Sequence, residues 1–414
     1  MKQIIKCGSL FAATDESVQK NMAVAVEDGK ITAVVPMQEA DLAGAEVIDL
    51  SDKFVMPGLI DAHVHVNLSG DPSILHLFAD GSEGALTITS IKNAQADLMA
   101  GFTSIRDEGA FRFTDVAVRD SINKGLVIGP RMLVSGEALT GTGGHADSHM
   151  APYVTGDTAL GVIINSADQG RKAARRNFKY GVDQLKIMAT GGVMSMGDDP
   201  KCSELSLEEM KAIIDVAKAR GRITSAHAHG SDGIKIAVRA GITSIEHGML
   251  MDDECVELMA AHGTYLVPTI IAAKAIIDNG VAAGLAPWMV EKTELVFAGH
   301  KDNLRKCREA GVKIAFGTDA GTSFSFHGAQ TVEFGLMTDF GFTPAQTLVA
   351  ATRTNAQMMK WDDRVGTLEA GKLADIVAFD RSPLEDIQVM NQVSFVMKDG
   401  VVCKKDGVPC VTLQ

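Results

Sequence analysis

The feature that most constrains the fold of this 414-residue chain is a unit that recurs by pattern rather than by identity. An amphipathic stretch ends in glycine and an apolar run follows at once, at Gly101-FTSIRD, Gly181-VDQLKI, Gly221-RITSAH, Gly241-ITSIEH, Gly263-TYLVPT and Gly311-VKIAFGTD. Glycine just past a helix end takes the left-handed conformation that closes the last turn without a Cβ clash. Each unit therefore reads as helix, cap, strand. The clearest helix is 206–220, SLEEMKAIIDVAKAR, where Ser206 and Glu209 form a capping box and Met210, Ile213, Ile214 and Val216 or Ala217 supply the apolar face.

Short apolar strands alternating with helices pair in parallel through right-handed crossovers. With 59–66 (LIDAHVHV) and 131–139 (RMLVSGEAL) added, about eight units occupy 57–365, which predicts an α/β fold of the (β/α)8 barrel type. A doubly wound open sheet is the competing architecture. The chain ends differ: 24–35 and 394–405 each hold two β-rich runs joined through Asp-Gly, at Asp28-Gly29 and Asp399-Gly400. Two such segments at opposite ends of a barrel pair most economically with each other. Residues 1–56 plus 366–414 are therefore expected to form one small β-sandwich-like domain.

Composition narrows the partners. The chain has 39 Lys+Arg against 52 Asp+Glu, a net charge of −13, and no basic run that would hold a phosphate backbone, so no nucleic acid is expected. The six cysteines are scattered without a C-x-x-C pair and read as reduced thiols. No signal-peptide core stands at the start, and no segment approaches the ~18 apolar residues of a membrane span. The expectation is a cytoplasmic protein with no membrane partner.

In a parallel barrel the chemistry sits at the C-terminal ends of the strands. This chain places His63 and His65 there on the first strand, Lys186 on the fourth, His227 and His229 on the fifth, His247 on the sixth and Asp319 on the eighth. Alternate strand residues face one side, so His63 and His65 can reach a single ion, and neutral imidazole suits Zn2+. Alone, the pair also reads as two structural histidines. Asp61 is either an orienting neighbour of that pair or a strand cap. Lys186, between apolar neighbours, must be paired, neutralised or chemically changed. A salt bridge is one outcome, and addition of CO2 to the neutral amine, giving a carbamate that bridges two cations, is the other.

His227 and His247, on consecutive strands, can converge on a second ion, and Asp319 can take the proton of a metal-bound water. His145, in the glycine-rich GTGGHADSH loop, is a candidate donor to a developing oxyanion or a loop residue. His229 faces the same side as His227 and is a candidate substrate contact or a structural residue. His76, His262, His300 and His327 lack a motif and read as ordinary polar positions. Segment 191–205 is either a lid or a plain connection.

The segments PGLIDAHVHV, LKIMATGG, TSAHAHG, IEHG, GTDAG and GTLEAGKLADIVAFD resemble the amidohydrolase superfamily over nearly the whole chain. Within it the chain is most similar to the imidazolonepropionase-like branch that includes metal-dependent Xaa-Pro dipeptidases, or prolidases. The resemblance implies two divalent ions, usually zinc: His63, His65 and Asp319 on the more buried one, His227 and His247 on the other, with carboxylated Lys186 and a hydroxide bridging both. It implies hydrolysis of an amide or peptide bond in a small substrate, an Xaa-Pro dipeptide or an N-acyl amino acid, with Asp319 as general base and then acid. The alternative enzyme is a hydrolase or deaminase of a small cyclic amide or amidine. A non-catalytic scaffold is opposed by the presence of all six candidate ligands. Relatives of this kind are often homo-oligomers, and a homo-oligomer is expected.

Overall fold

A computed structural model describes residues 2–72, 82–147, 149 and 160–413; His76 lies outside the described residues. All six glycines that divide the chain have φ between 67° and 101°, as a left-handed helix cap requires. The expected helix spans Leu207–Lys218, with the Ser206 hydroxyl accepting from the Glu209 amide and the Glu209 carboxylate accepting from the Ser206 amide. It buries Met210, Ile213, Ile214, Val216 and Ala217 against the barrel.

Strands Leu59–Val64, Phe102–Asp107 and Arg131–Leu133 form one parallel sheet. Strands Ala138–Thr140, Leu185–Met188, Thr224–Gly230, Ser244–Leu250, Tyr265–Val267 and Lys313–Ile314 continue in a second, which also takes Gly161–Ile163 at its edge. Backbone bonds close both gaps. The Asp183 amide donates to Val134 O (2.8 Å) on one side, and on the other Ala62 N donates to Phe316 O (3.0 Å) and Asp319 N to His63 O (2.7 Å). The result is a closed (β/α)8 barrel. Its third strand differs from the single run expected over 131–139. It breaks at Gly136 (φ 64°), so its first part pairs with the second strand and its last part with the fourth.

Both chain ends build one eight-stranded sheet. The N-terminal strands Lys2–Leu10, Gln19–Glu27, Lys30–Pro36 and Glu46–Pro57 join the C-terminal ones where Glu46–Pro57 pairs antiparallel with Ile376–Phe379. Both Asp-Gly turns are present with both residues left-handed, Asp28 (49°) with Gly29 (79°) and Asp399 (51°) with Gly400 (76°). They pack against each other so closely that a Cβ on Gly29 would lie 2.7 Å from Asp399 O. One face of the sheet covers its own cluster, including Ile5, Val24, Leu50, Ile376 and Phe395. From the other face Phe54, Val377, Phe379 and Val393 join the main core. Among the described residues, no helix is long and apolar enough to cross a membrane.

Candidate metal centre

The first strand delivers His63 and His65 to the barrel mouth, and the eighth delivers Asp319. The Nε2 atoms of His63 and His65 each lie 3.3 Å from Asp319 Oδ1. The opposite nitrogens are already engaged: His63 Nδ1 with Glu246 Oε2 and His65 Nδ1 with Gly109 O, each at 2.8 Å. Gly109 O only accepts, so His65 Nδ1 carries a proton and its Nε2 is left to bind. Asp61 orients backbone rather than a ring. Its carboxylate accepts from His63 N (3.0 Å), Thr318 Oγ1 (2.6 Å) and Thr318 N (3.2 Å), tying the first strand to the loop that presents Asp319.

The His247 ring centroid lies 5.1 Å from that of His63 and 4.7 Å from that of His227, so the fifth- and sixth-strand histidines continue the cluster. His247 Nδ1 meets Thr269 Oγ1 at 2.7 Å. His145 stacks on His227 (4.3 Å, 20°), and His229 meets His227 edge-on at 4.8 Å. Among the described residues the buried Nδ1 of His229 has no partner. The unmodified Lys186 ammonium lies 3.1 Å from Glu108 Oε2, both side chains buried. All eight residues expected at the site are thus at this end of the barrel or directly beneath it.

Charge prepares the cluster for cations. Burial, with neighbouring charged groups, holds His227 and His247 well below the usual imidazole range, so both rings are neutral. Burial and Lys186 also press His63 down, but Asp319 and Glu246 outweigh them and lift it to about 9. The carboxylates on either side of His63, Glu246 at Nδ1 and Asp319 at Nε2, thus favour positive charge at this position. Burial raises Asp319, and His63 and His65 overcome it, leaving the group well below the carboxylate range. Imidazoles each held through one ring nitrogen, His63, His65 and His247 by Nδ1 and His227 by Nε2, together with an ionised carboxylate are a donor set that fits a divalent ion of the zinc type.

Several groups escaped the sequence reading. Arg106 is fully buried under the site, its guanidinium 2.9 Å from Glu108 Oε1, 2.8 Å from Glu246 Oε1 and 2.9 Å from Ser244 Oγ. His63, Glu108 and Glu246 bring ligand-type atoms within 4.8 Å of one another. The available signal was the one used for Lys186, a charge on a strand that should be buried. In the 191–205 segment, His145 Nδ1 is 2.7 Å from Ser195 Oγ, which donates to Asp198 Oδ2 at 2.6 Å. Lys292 Nζ donates to Gly192 O (3.2 Å), Ser195 O (2.8 Å) and Asp198 O (2.6 Å).

His300 and His327 are not ordinary polar positions, because each is buried and bonded between elements. His327 Nδ1 is 2.9 Å from Asp97 Oδ2 and its Nε2 is 3.2 Å from His65 O, while His300 Nε2 is 3.2 Å from Pro268 O. His262 is an exposed residue at a helix end.

A histidine–carboxylate cluster at the C-terminal mouth of a closed parallel barrel defines the metal-dependent hydrolase class of this fold. The chain belongs to the amidohydrolase family, whose pattern matches residues 54–403, and it is a hydrolytic enzyme. A solved Xaa-Pro dipeptidase with methionine bound in its active site is 33% identical with a TM-score of 0.92, covering 98% of this chain and 100% of that one. Ochratoxinase of Aspergillus niger is 32% identical over 98% of this chain and 87% of its own. An imidazolonepropionase of Geobacillus sp. (strain WCH70) is 27% identical over 94% of this chain and 92% of its own.

Proposed function

We propose that this protein is a binuclear-metal amidohydrolase that cleaves Xaa-Pro dipeptides or N-acyl amino acids. The observation that carries the proposal is the convergence of His63 Nε2 and His65 Nε2 on Asp319 Oδ1. Likeness to the Xaa-Pro dipeptidase over nearly the full length of both chains supports the substrate class. His63, His65 and Asp319 would hold one ion and His227 and His247 the other, and Lys186, as its carbamate, would complete the ligand set. Two divalent ions, zinc by donor type, supply a water of lowered pKa and polarise the scissile carbonyl.

Asp319 accepts the proton of the attacking water and passes it to the departing nitrogen. His145, with Nδ1–H held by Ser195, would have to carry a proton on Nε2 as well to donate to the carbonyl oxygen as charge develops, so that role belongs to its imidazolium form. His229, with its buried unpartnered nitrogen, contacts a polar group of the substrate. Residues 57–365 form the catalytic barrel and residues 1–56 plus 366–414 the small β domain, in a cytoplasmic homo-oligomer. Likeness to the imidazolonepropionase favours a second reading, hydrolysis or deamination of a small cyclic amide or amidine.

Elemental analysis of the purified protein, run beside a panel of Xaa-Pro dipeptides, N-acyl amino acids and cyclic amides, tests both. Two zinc equivalents with Xaa-Pro cleavage support the first reading. The same metal content with turnover of cyclic amides alone supports the second. Substoichiometric metal in fully active protein overturns the binuclear site.

A further inference from the structure

Two fully buried polar side chains, His300 and Glu333, have no place in the proposed chemistry. They start from different helices, His300–Glu309 and Val332–Asp339, and reach the same short turn after the seventh strand. His300 Nε2 lies 3.2 Å from Pro268 O. The two Glu333 oxygens accept one amide each, from Ile270 and Ile271, both at 2.8 Å. Thr269, held between these anchors, is left-handed with φ 43° and ψ 52°.

That conformation is a true outlier for a β-branched residue and persists only where its surroundings over-determine it. Here they do so from both flanks. Glycine at 269 would make the turn without strain, but it would lack the hydroxyl, and the Thr269 hydroxyl is the atom that reaches His247 Nδ1 at 2.7 Å. His247 is itself left-handed, with φ 67°.

We infer that His300 and Glu333 are positioning residues that clamp the 268–271 turn so that the Thr269 hydroxyl fixes the ring plane of His247. Engaging Nδ1 with that hydroxyl leaves Nε2 as the His247 nitrogen available to an ion. The inference rests on the proposed role of His247 as a metal ligand, and it assigns the integrity of that site to two residues on remote helices.

The test is zinc binding, measured by chelator competition on metal-free protein, with thermal melting of the same samples to confirm folding. Thr269→Val keeps the shape and the β-branching and removes only the hydroxyl. It is expected to weaken one of the two zinc ions by about 10–100-fold and leave the other unchanged. Thr269→Ser restores wild-type affinity. Glu333→Gln, which keeps one accepting oxygen and sets an NH2 against the other amide, weakens the same ion, and it carries the test if Thr269→Val fails to fold. Folded Thr269→Val or Glu333→Gln protein that binds both ions as tightly as wild type overturns the inference. Wild type that binds fewer than two ions, or whose uptake is unaffected by His247→Ala, overturns the assignment of His247 instead, and the clamp with it.

Discussion

Glu246 Oε2 lies 2.8 Å from His63 Nδ1 at the centre of the barrel, with neither side chain open to solvent. The other Glu246 oxygen is held by Arg106, which also holds Glu108, and Glu108 in turn holds Lys186. Two of the proposed ligands are thus oriented by one buried layer of alternating charge. Within such a layer removing a single member is severe, because its partners stay buried without compensation.

Arg106→Met therefore leaves two carboxylates short of their shared cation. The expected loss is about 3–5 kcal/mol of folding free energy, read from urea unfolding of the variant against wild type. A loss below about 1 kcal/mol would show that the layer relaxes or protonates at little cost, and that Arg106 is not its keystone.

The 191–205 segment is pinned rather than loose. Lys292 donates to three of its carbonyls and to Asp198, and Asp198 receives the Ser195 hydroxyl and the Gly192 amide. Burial raises the Asp198 carboxyl, yet the nearby His145 ring and the bonds from Ser195 and Gly192 outweigh it and keep the group ionised. Since Asp198 only accepts, Ser195 donates to it and must accept from His145 Nδ1. Lys292→Met should raise amide hydrogen exchange across 191–205 and lower kcat/KM by about tenfold through a displaced His145. Unchanged exchange in that segment would mean the lysine does not hold it.

Stability on the acid side should carry a contribution from His300. Burial pushes its ring down to about 4, with the bond to Pro268 opposing only in part. The unfolded chain takes up this proton near pH 6.5, whereas the folded chain resists it until about pH 4, so stability falls as pH is lowered through that window. The full effect is on the order of 3 kcal/mol. His300→Gln keeps a donor for Pro268 but does not titrate. Its unfolding free energy should drop less than that of wild type between pH 7 and pH 4, and equal drops in the two proteins would remove His300 as the cause.

What could be read in the sequence was local or periodic. Glycine caps, the Ser206–Glu209 box and the two Asp-Gly turns are set by neighbours a few residues apart, and each is where the sequence places it. The ligand-type side chains were legible because strand ends in a barrel converge whatever the loops between them do. The break at Gly136 was not, since one apolar run covers both of its pairing partners. Nor was the Arg106 layer, whose bonds to Ser244 and Glu246 span 138 and 140 residues. His300, His327 and Lys292 act across helices on loops far away in the chain, and no local pattern marks such contacts. The left-handed Thr269 was equally hidden, because a β-branched residue after an apolar run reads as more strand.

Lys186 separates two states that share one fold. In the unmodified protein its Nζ lies 3.1 Å from Glu108 Oε2, so the buried lysine has a carboxylate partner without any metal. Carbamate formation inverts its charge and sets it against Glu108, which burial raises but which Arg106 and Lys186 bring down to about 2. Only divalent cations, with Arg106 still holding Glu108, balance the new anion. Metal removal should then release CO2 and return Lys186 to Glu108, and reloading with zinc should require bicarbonate. Lys186→Ala is expected to lose zinc relative to wild type, and a short carboxylic acid should restore uptake by occupying the vacated space. The measurements are the mass of the intact native chain, with the CO2 increment present in loaded protein and absent after chelation, and zinc content with and without the added acid. Loaded wild type lacking that increment, with zinc retained in Lys186→Ala, would remove Lys186 from the ligand set and leave it as the partner of Glu108 alone.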